Sequence, residues 1–145
     1  MMYINKKLMI EKISLQKIAN KFGTPFYSYS YNKLKENINN FKRVFKTIDP
    51  LICFSVKSNS NRILLREIGK LGLGADVVSI GELMAALKAG IKPNHIVFSG
   101  VGKTTNEIDY AVKKKILLIN AESKNEVIAI EKIAKKNKKM VNIGV

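Results

Sequence analysis

The chain has 145 residues, of which 46% are hydrophobic and 26% are charged, and its formal net charge is +15. This length fits one domain of the usual ~100–200 residues, and the apolar content excludes an intrinsically disordered chain. No apolar run approaches the ~20 residues that cross a bilayer. Lys6, Lys7 and Glu11 interrupt the N-terminal region, so we expect no secretory signal. The single cysteine, Cys53, excludes a disulfide scaffold and a cysteine-rich zinc site. We therefore expect a globular, cytoplasmic protein.

The positive charge has two interpretations. It is typical of proteins that bind a polyanion such as nucleic acid. It is also expected from a genome rich in A and T, whose codons favour Lys, Ile and Asn. Only Arg43, Arg62 and Arg66 are arginines among 26 basic residues, whereas nucleic-acid surfaces favour arginine for bidentate contacts. We therefore interpret the charge as a compositional bias and expect no nucleic-acid or membrane partner.

Short apolar runs alternate with helical patterns from about residue 25 onward. The apolar runs predict strands at 25–29, 51–56, 75–78, 95–99, 116–120 and 140–145. The helical patterns predict helices at 31–49, 61–71, 80–90, 105–114 and 124–139. Three of these helices begin with a capping box, in which Ser or Thr and a Glu three residues later bind free amides: Ser79–Glu82, Thr104–Glu107 and Ser123–Glu126.

The predicted strands from Leu51 onward start about 20 to 24 residues apart. Strands and helices alternating at this spacing predict βα units around a parallel sheet. A (β/α)8 barrel needs ~250 residues, and this chain holds four βα units and a fifth strand. We therefore expect an α/β fold that forms the N-terminal portion, about half, of a (β/α)8 TIM-type barrel. Residues 1–50 would form a leading segment, and residues 51–145 the βα units.

Lys57 directly follows the apolar run of residues 51–56. It would lie at the carboxyl end of a buried strand, where parallel barrels place their active sites. An amine that is partly desolvated there becomes neutral and can attack a carbonyl to form a Schiff base. The alternative is a lysine that extends from a strand end into water. Spacing alone leaves both interpretations open.

Residues 54–61, FSVKSNSN, resemble the pyridoxal-phosphate lysine motif of the alanine racemase-like (fold type III) barrel enzymes. Four more segments resemble that family in the same order: 22–29 (FGTPFYSY), 72–83 (GLGADVVSIGEL), 96–103 (IVFSGVGK) and 119–123 (INAES). The GADVVS and SGVGK stretches most resemble the diaminopimelate decarboxylase branch. Ser58 and Ile80 depart mildly from the family pattern, which often has alanine and a small residue there.

The resemblance implies that Lys57 holds pyridoxal 5'-phosphate as a Schiff base and that Asp76 binds close to it. It further implies a homodimer that decarboxylates an amino-acid substrate, meso-diaminopimelate, to L-lysine and CO2. From its position alone, Asp76 could equally be an acid at a strand-to-helix junction. The alternatives are another fold type III amino-acid decarboxylase, a non-catalytic pyridoxal-phosphate-binding protein and, less favoured, a basic nucleic-acid-binding module.

We expect the other polar residues to line the site or to have structural roles. Asn59 and Lys103 lie in turns at the expected catalytic end and are expected to line the site. Glu122 is better explained by the start of a helix, and His95 is expected at the opposite end of its strand. The family's glycine-rich phosphate-binding turn, its acidic partner for the pyridine nitrogen, its substrate-binding arginine and tyrosine, and its C-terminal β-domain find no match. We therefore expect these 145 residues alone to lack decarboxylase activity.

Overall fold

The computed structural model describes residues 1–145 as two compact units, Met1–Pro50 and Leu51–Val145. The first unit opens with a three-stranded antiparallel sheet of strands β1 (Met2–Ile4), β2 (Lys7–Ile10) and β3 (Ile13–Ser14). Helices α1 (Leu15–Phe22) and α2 (Tyr31–Val44) follow. The Ser30 hydroxyl accepts a hydrogen bond from the Lys33 amide, which confirms the predicted start of α2.

The first unit also differs from the sequence-based expectation. The predicted strand at 25–29 is wrong, because this segment is irregular and pairs with no strand of the sheet. A strand needs a hydrogen-bonded neighbour, and apolar character alone does not supply one. The sheet β1–β3 and helix α1 were not predicted. These strands are two to four residues long and mostly exposed, so they carry no clear alternating pattern.

The second unit is a parallel five-stranded sheet in which each strand pairs with the next one along the chain. Its strands are β4 (Cys53–Ser55), β5 (Gly74–Val77), β6 (Ile96–Phe98), β7 (Leu118–Asn120) and β8 (Ile143–Gly144). Its helices are α3 (Arg62–Lys70), α4 (Ile80–Lys88), α5 (Thr105–Lys114) and α6 (Lys124–Asn137), one between each pair of strands. This order confirms the predicted α/β class and the βα units. None of the six helices combines the length and the apolar character that a membrane-spanning segment requires.

The core of the second unit lies between the sheet and its helices. Ala75, Val77, Ile96, Phe98 and Ile119 of the strands are fully buried in one apolar cluster with the inner faces of the helices. Successive side chains of a strand point to opposite faces of the sheet. The residues that alternate with this apolar set therefore share the other face, and several of them are polar.

Of the three predicted capping boxes, one forms in full and the other two form only the half in which the serine accepts. Thr104–Glu107 is fully reciprocal at the start of α5. In Ser79–Glu82 and Ser123–Glu126 the serine hydroxyl accepts from the glutamate amide as predicted. Their carboxylates accept instead from the amide one residue before the cap, that of Val78 or Glu122. The acids thus tie each helix start to the end of the preceding strand.

Candidate active site at the carboxyl ends of the strands

Lys57 lies in a 3-10 turn, Val56–Ser58, directly after β4. The turn is anchored by Val56, which is fully buried, and by a 2.7 Å hydrogen bond from the Ser58 hydroxyl to the Ser55 carbonyl oxygen. Of the two interpretations left open by the spacing, the structure agrees with a lysine that extends into water, because Lys57 is exposed. None of the ion pairs involves Lys57. The backbone of the turn is therefore fixed, and the Lys57 amine forms no ion pair with a carboxylate.

Asp76 lies on β5, paired in register with Ser55 of β4. Its carboxylate accepts hydrogen bonds from two serine hydroxyls, from Ser99 to Oδ1 at 2.6 Å and from Ser55 to Oδ2 at 3.4 Å. The turn that carries Lys57 contacts β5. The structure thus brings Asp76 and Lys57 to neighbouring positions at the same end of the sheet.

Ser99 and Asn120 extend this polar set across the sheet, and sequence reasoning did not single them out. Ser99 follows β6, and Asn120 ends β7. The Asn120 side-chain amide donates a 3.0 Å hydrogen bond to the Ser99 hydroxyl oxygen. A continuous chain, Ser55–Asp76–Ser99–Asn120, therefore joins the ends of four neighbouring strands. The signal available in the sequence was a polar residue at the end of each apolar run.

Lys103 is placed differently from the expectation that it lines the site. Its side chain is only 1% exposed. Its Nζ donates to the carbonyl oxygens of Gly100 and Asn120, each at 2.6 Å, and to Oε1 of Glu126 at 3.1 Å. Lys103 thus ties together the loops after β6 and β7 and the start of α6. The partner carboxylate of Glu126, 9% exposed, was predicted only as a helix cap.

The remaining candidates lie at the margins of this site. Cys53 of β4 is partly buried, and its Sγ donates to the His95 carbonyl oxygen at 3.9 Å. Burial raises the pKa of the Cys53 thiol, and the negative charge of Asp76 adds to the effect. His95 itself precedes β6, at the opposite end of the strands from Lys57. Glu122 is exposed, and the Asn59 side chain accepts from the amide of Asn61.

These side chains fit a ligand that carries an aldehyde. A primary amine that forms no ion pair can attack a carbonyl carbon. The Asp76 carboxylate, which lies on the next strand and accepts hydrogen bonds from neutral hydroxyls, can face a positive charge on the nitrogen of that amine. No group of three or more His, Cys, Asp and Glu side chains is placed to hold a metal ion.

Comparison with known proteins agrees with this chemistry. Residues 31–145 match the family described as "Pyridoxal-dependent decarboxylase, pyridoxal binding domain". The diaminopimelate decarboxylase of Aquifex aeolicus is 46% identical over 143 residues, which are 99% of this chain and 34% of that protein. That of Helicobacter pylori (strain J99) is 50% identical over 119 residues, 82% of this chain and 29% of that protein.

A solved structure has the same fold. The crystal structure of diaminopimelate decarboxylase from M. jannaschii in complex with L-lysine superimposes with a TM-score of 0.93 at 33% identity, covering 97% of this chain and 34% of that one. This match confirms the predicted portion of a TIM-type barrel. The chain spans about a third of the length of the curated relatives it matches. It belongs to the family of pyridoxal-dependent decarboxylases, in the part of that family described as the pyridoxal binding domain.

Proposed function

We propose that this chain carries the cofactor lysine of a diaminopimelate decarboxylase, with Lys57 as the attachment point and Asp76 beside it. The observation that carries the proposal is the placement of the Lys57 amine, which forms no ion pair, on a turn that buried Val56 anchors next to β5. The proposal extends to the activity named in the relatives, the conversion of meso-diaminopimelate to L-lysine and CO2. It is supported by 46% identity to the Aquifex aeolicus enzyme over 99% of this chain.

Each residue contributes a separate physical function. Nζ of Lys57 would hold pyridoxal 5'-phosphate through its aldehyde carbon, with the aldehyde oxygen leaving as water, and the bound cofactor would supply the electron sink for loss of CO2. Buried Val56 fixes the backbone of the turn, so only the side-chain rotamers of Lys57 remain to be ordered when the amine reacts. The Asp76 carboxylate, aligned by Ser55 and Ser99, would favour a positive charge on the lysine nitrogen.

Substrate and assembly are proposed from the relatives. The Helicobacter pylori and M. jannaschii enzymes were each crystallised with L-lysine, the product of the proposed reaction. We take the same amino-acid substrate class for this chain. The family resemblance further supports a homodimer.

Covalent trapping at Lys57 tests the cofactor assignment. The chain is incubated with pyridoxal phosphate, reduced with borohydride, digested and analysed by mass spectrometry. We expect the reduced adduct on the peptide containing Lys57, and its loss in Lys57→Arg. Lys70→Arg is the matched control, since Lys70 is an exposed lysine that pairs with Glu67. Equal labelling of many surface lysines, with no preference for Lys57, would contradict the assignment.

A chimera tests the reaction. Residues 1–145 replace the matching segment of the Aquifex aeolicus enzyme, and CO2 release from meso-diaminopimelate is measured. We expect turnover that falls to background in the Lys57→Arg chimera. Release of CO2 from ornithine or arginine instead would favour another decarboxylase of this fold. Trapping at Lys57 without any turnover would favour a non-catalytic pyridoxal-phosphate-binding protein.

A further inference from the structure

We propose that Ser99 and Asn120 are positioning residues that form a directed hydrogen-bond relay, which holds the Asp76 carboxylate in a fixed orientation toward the Lys57 site. The inference deepens the proposed function and rests on it, since it takes Lys57 as the cofactor lysine. Neither side chain has to touch the cofactor, because both act through Asp76.

The relay has a defined direction. The side-chain nitrogen of Asn120 can only donate, and it donates to the Ser99 hydroxyl oxygen at 3.0 Å. Ser99 has a single hydroxyl proton, which is therefore directed to Oδ1 of Asp76 at 2.6 Å. The Asn120 Oδ1 lies so close to Gly144 that a Cβ at this position would collide with it.

The backbone that carries the relay is fixed on both sides. The Ser99 amide donates to the Val77 carbonyl oxygen at 2.8 Å. The buried Nζ of Lys103 donates to the carbonyl oxygens of Gly100 and Asn120. Because Gly100 directly follows Ser99, this one ammonium group fixes the backbone at both relay residues. Two side chains from different strands are thereby preorganised around one carboxylate.

The relay leaves the charge of Asp76 uncompensated. Asp76 takes part in none of the ion pairs, and its two carboxylate oxygens accept only from neutral hydroxyls. A partly buried carboxylate without a cationic partner is costly to keep for stability alone. The one titratable neighbour whose pKa is raised by this charge is Cys53, which is an acid and cannot neutralise it. The arrangement therefore suits a ligand that brings a positive charge, which the cofactor-bound nitrogen of Lys57 would do.

The test follows cofactor attachment at Lys57 as a function of pH. The chain is held in excess pyridoxal phosphate, trapped with borohydride at a series of pH values, and the Lys57 peptide is quantified. In Ser99→Ala the Asp76 carboxylate loses its shortest hydrogen bond and its fixed orientation. We expect the midpoint of the profile to move to lower pH, because the carboxylate that favours a positive charge on the Lys57 nitrogen is less well oriented. The shift should be smaller than the about one unit that a hydrogen bond made directly to the titrating group would give, since the Ser99 hydroxyl acts through Asp76.

Three further variants separate positioning from a general structural effect. Asn120→Ala is expected to shift the midpoint in the same direction by less, because Ser99 keeps its hydroxyl. Ser99→Thr retains the hydroxyl and should restore the profile of the unsubstituted chain. Asn142→Ala is the matched control, since the exposed Asn142 also loses one amide-donated hydrogen bond, to the Leu117 carbonyl oxygen. A thermal unfolding curve for each variant identifies any that fail to fold.

The possible results are distinct. If all folded variants attach the cofactor at Lys57 with the same pH profile, the relay is overturned and the proposed function stands. A shift in Asn142→Ala as large as that in Asn120→Ala would also overturn it. Absence of attachment in the unsubstituted chain would overturn the proposed function, and the relay with it.

Discussion

Replacement of Lys103 by methionine should destabilise the second unit strongly. The substitution removes three hydrogen bonds that Nζ donates and leaves the Glu126 carboxylate without its cation, although the two side chains are only 1% and 9% exposed. Removal of one partner from a buried ion pair costs about 3–5 kcal/mol. A domain is typically stable by about 5–15 kcal/mol, so this loss is a large share of the total. Urea unfolding followed by far-ultraviolet circular dichroism measures the change in the free energy of unfolding.

The chain contains a matched control for this substitution. Lys135 pairs with Glu131 at 2.7 Å, but their side chains are 75% and 60% exposed. Exposed pairs of this kind contribute about 0–1 kcal/mol, so Lys135→Met should change the free energy of unfolding little. In a second variant, Lys103→Met combined with Glu126→Leu should regain part of the loss, because no unpaired carboxylate remains buried. A Lys103→Met variant within about 1 kcal/mol of Lys135→Met would refute the reasoning from burial.

Two predictions concern titration. Asp76→Asn should lower the pKa of Cys53 but leave it above its ordinary value, because burial, the larger cause of the rise, remains. The pH dependence of alkylation at this single thiol measures the shift. An unchanged alkylation profile would contradict the prediction. The pKa of Glu107 is lowered mainly by hydrogen bonds from the Thr104 and Ile80 amides. A lowered folded-state pKa contributes stability above the unfolded-state value that is lost as pH falls through the folded-state value. Glu107→Gln should therefore lower the free energy of unfolding near neutral pH, and this loss should shrink below about pH 4. Urea unfolding midpoints measured across a range of pH test this. A loss that does not depend on pH would contradict the prediction.

The candidate site was predictable where one residue stood out by its local pattern. Lys57 was identified because it follows a continuous apolar run and lies in a motif that resembles a known family. Asp76 was identified from the resemblance alone, because its position in the sequence fits an acid at a strand-to-helix junction equally well. Ser99 and Asn120 were missed, because a serine or an asparagine at a strand end is common and only spatial adjacency gives these two a role. Lys103 was identified in sequence, but its burial could not be, since a lysine in a turn is usually exposed.

The sequence by itself determined the alternation of strands and helices from Leu51 onward and the starts of its helices. These features are local, because helical periodicity, capping residues and apolar runs act over a few neighbouring residues. Only the tertiary structure decided which strand ends meet, and so created the Ser55–Asp76–Ser99–Asn120 chain and the buried Lys103–Glu126 pair. It also rejected the strand predicted at 25–29, because pairing depends on a partner that no local pattern encodes. Contacts between residues about 20 apart in sequence depend on the register of the whole sheet, which local preferences do not specify.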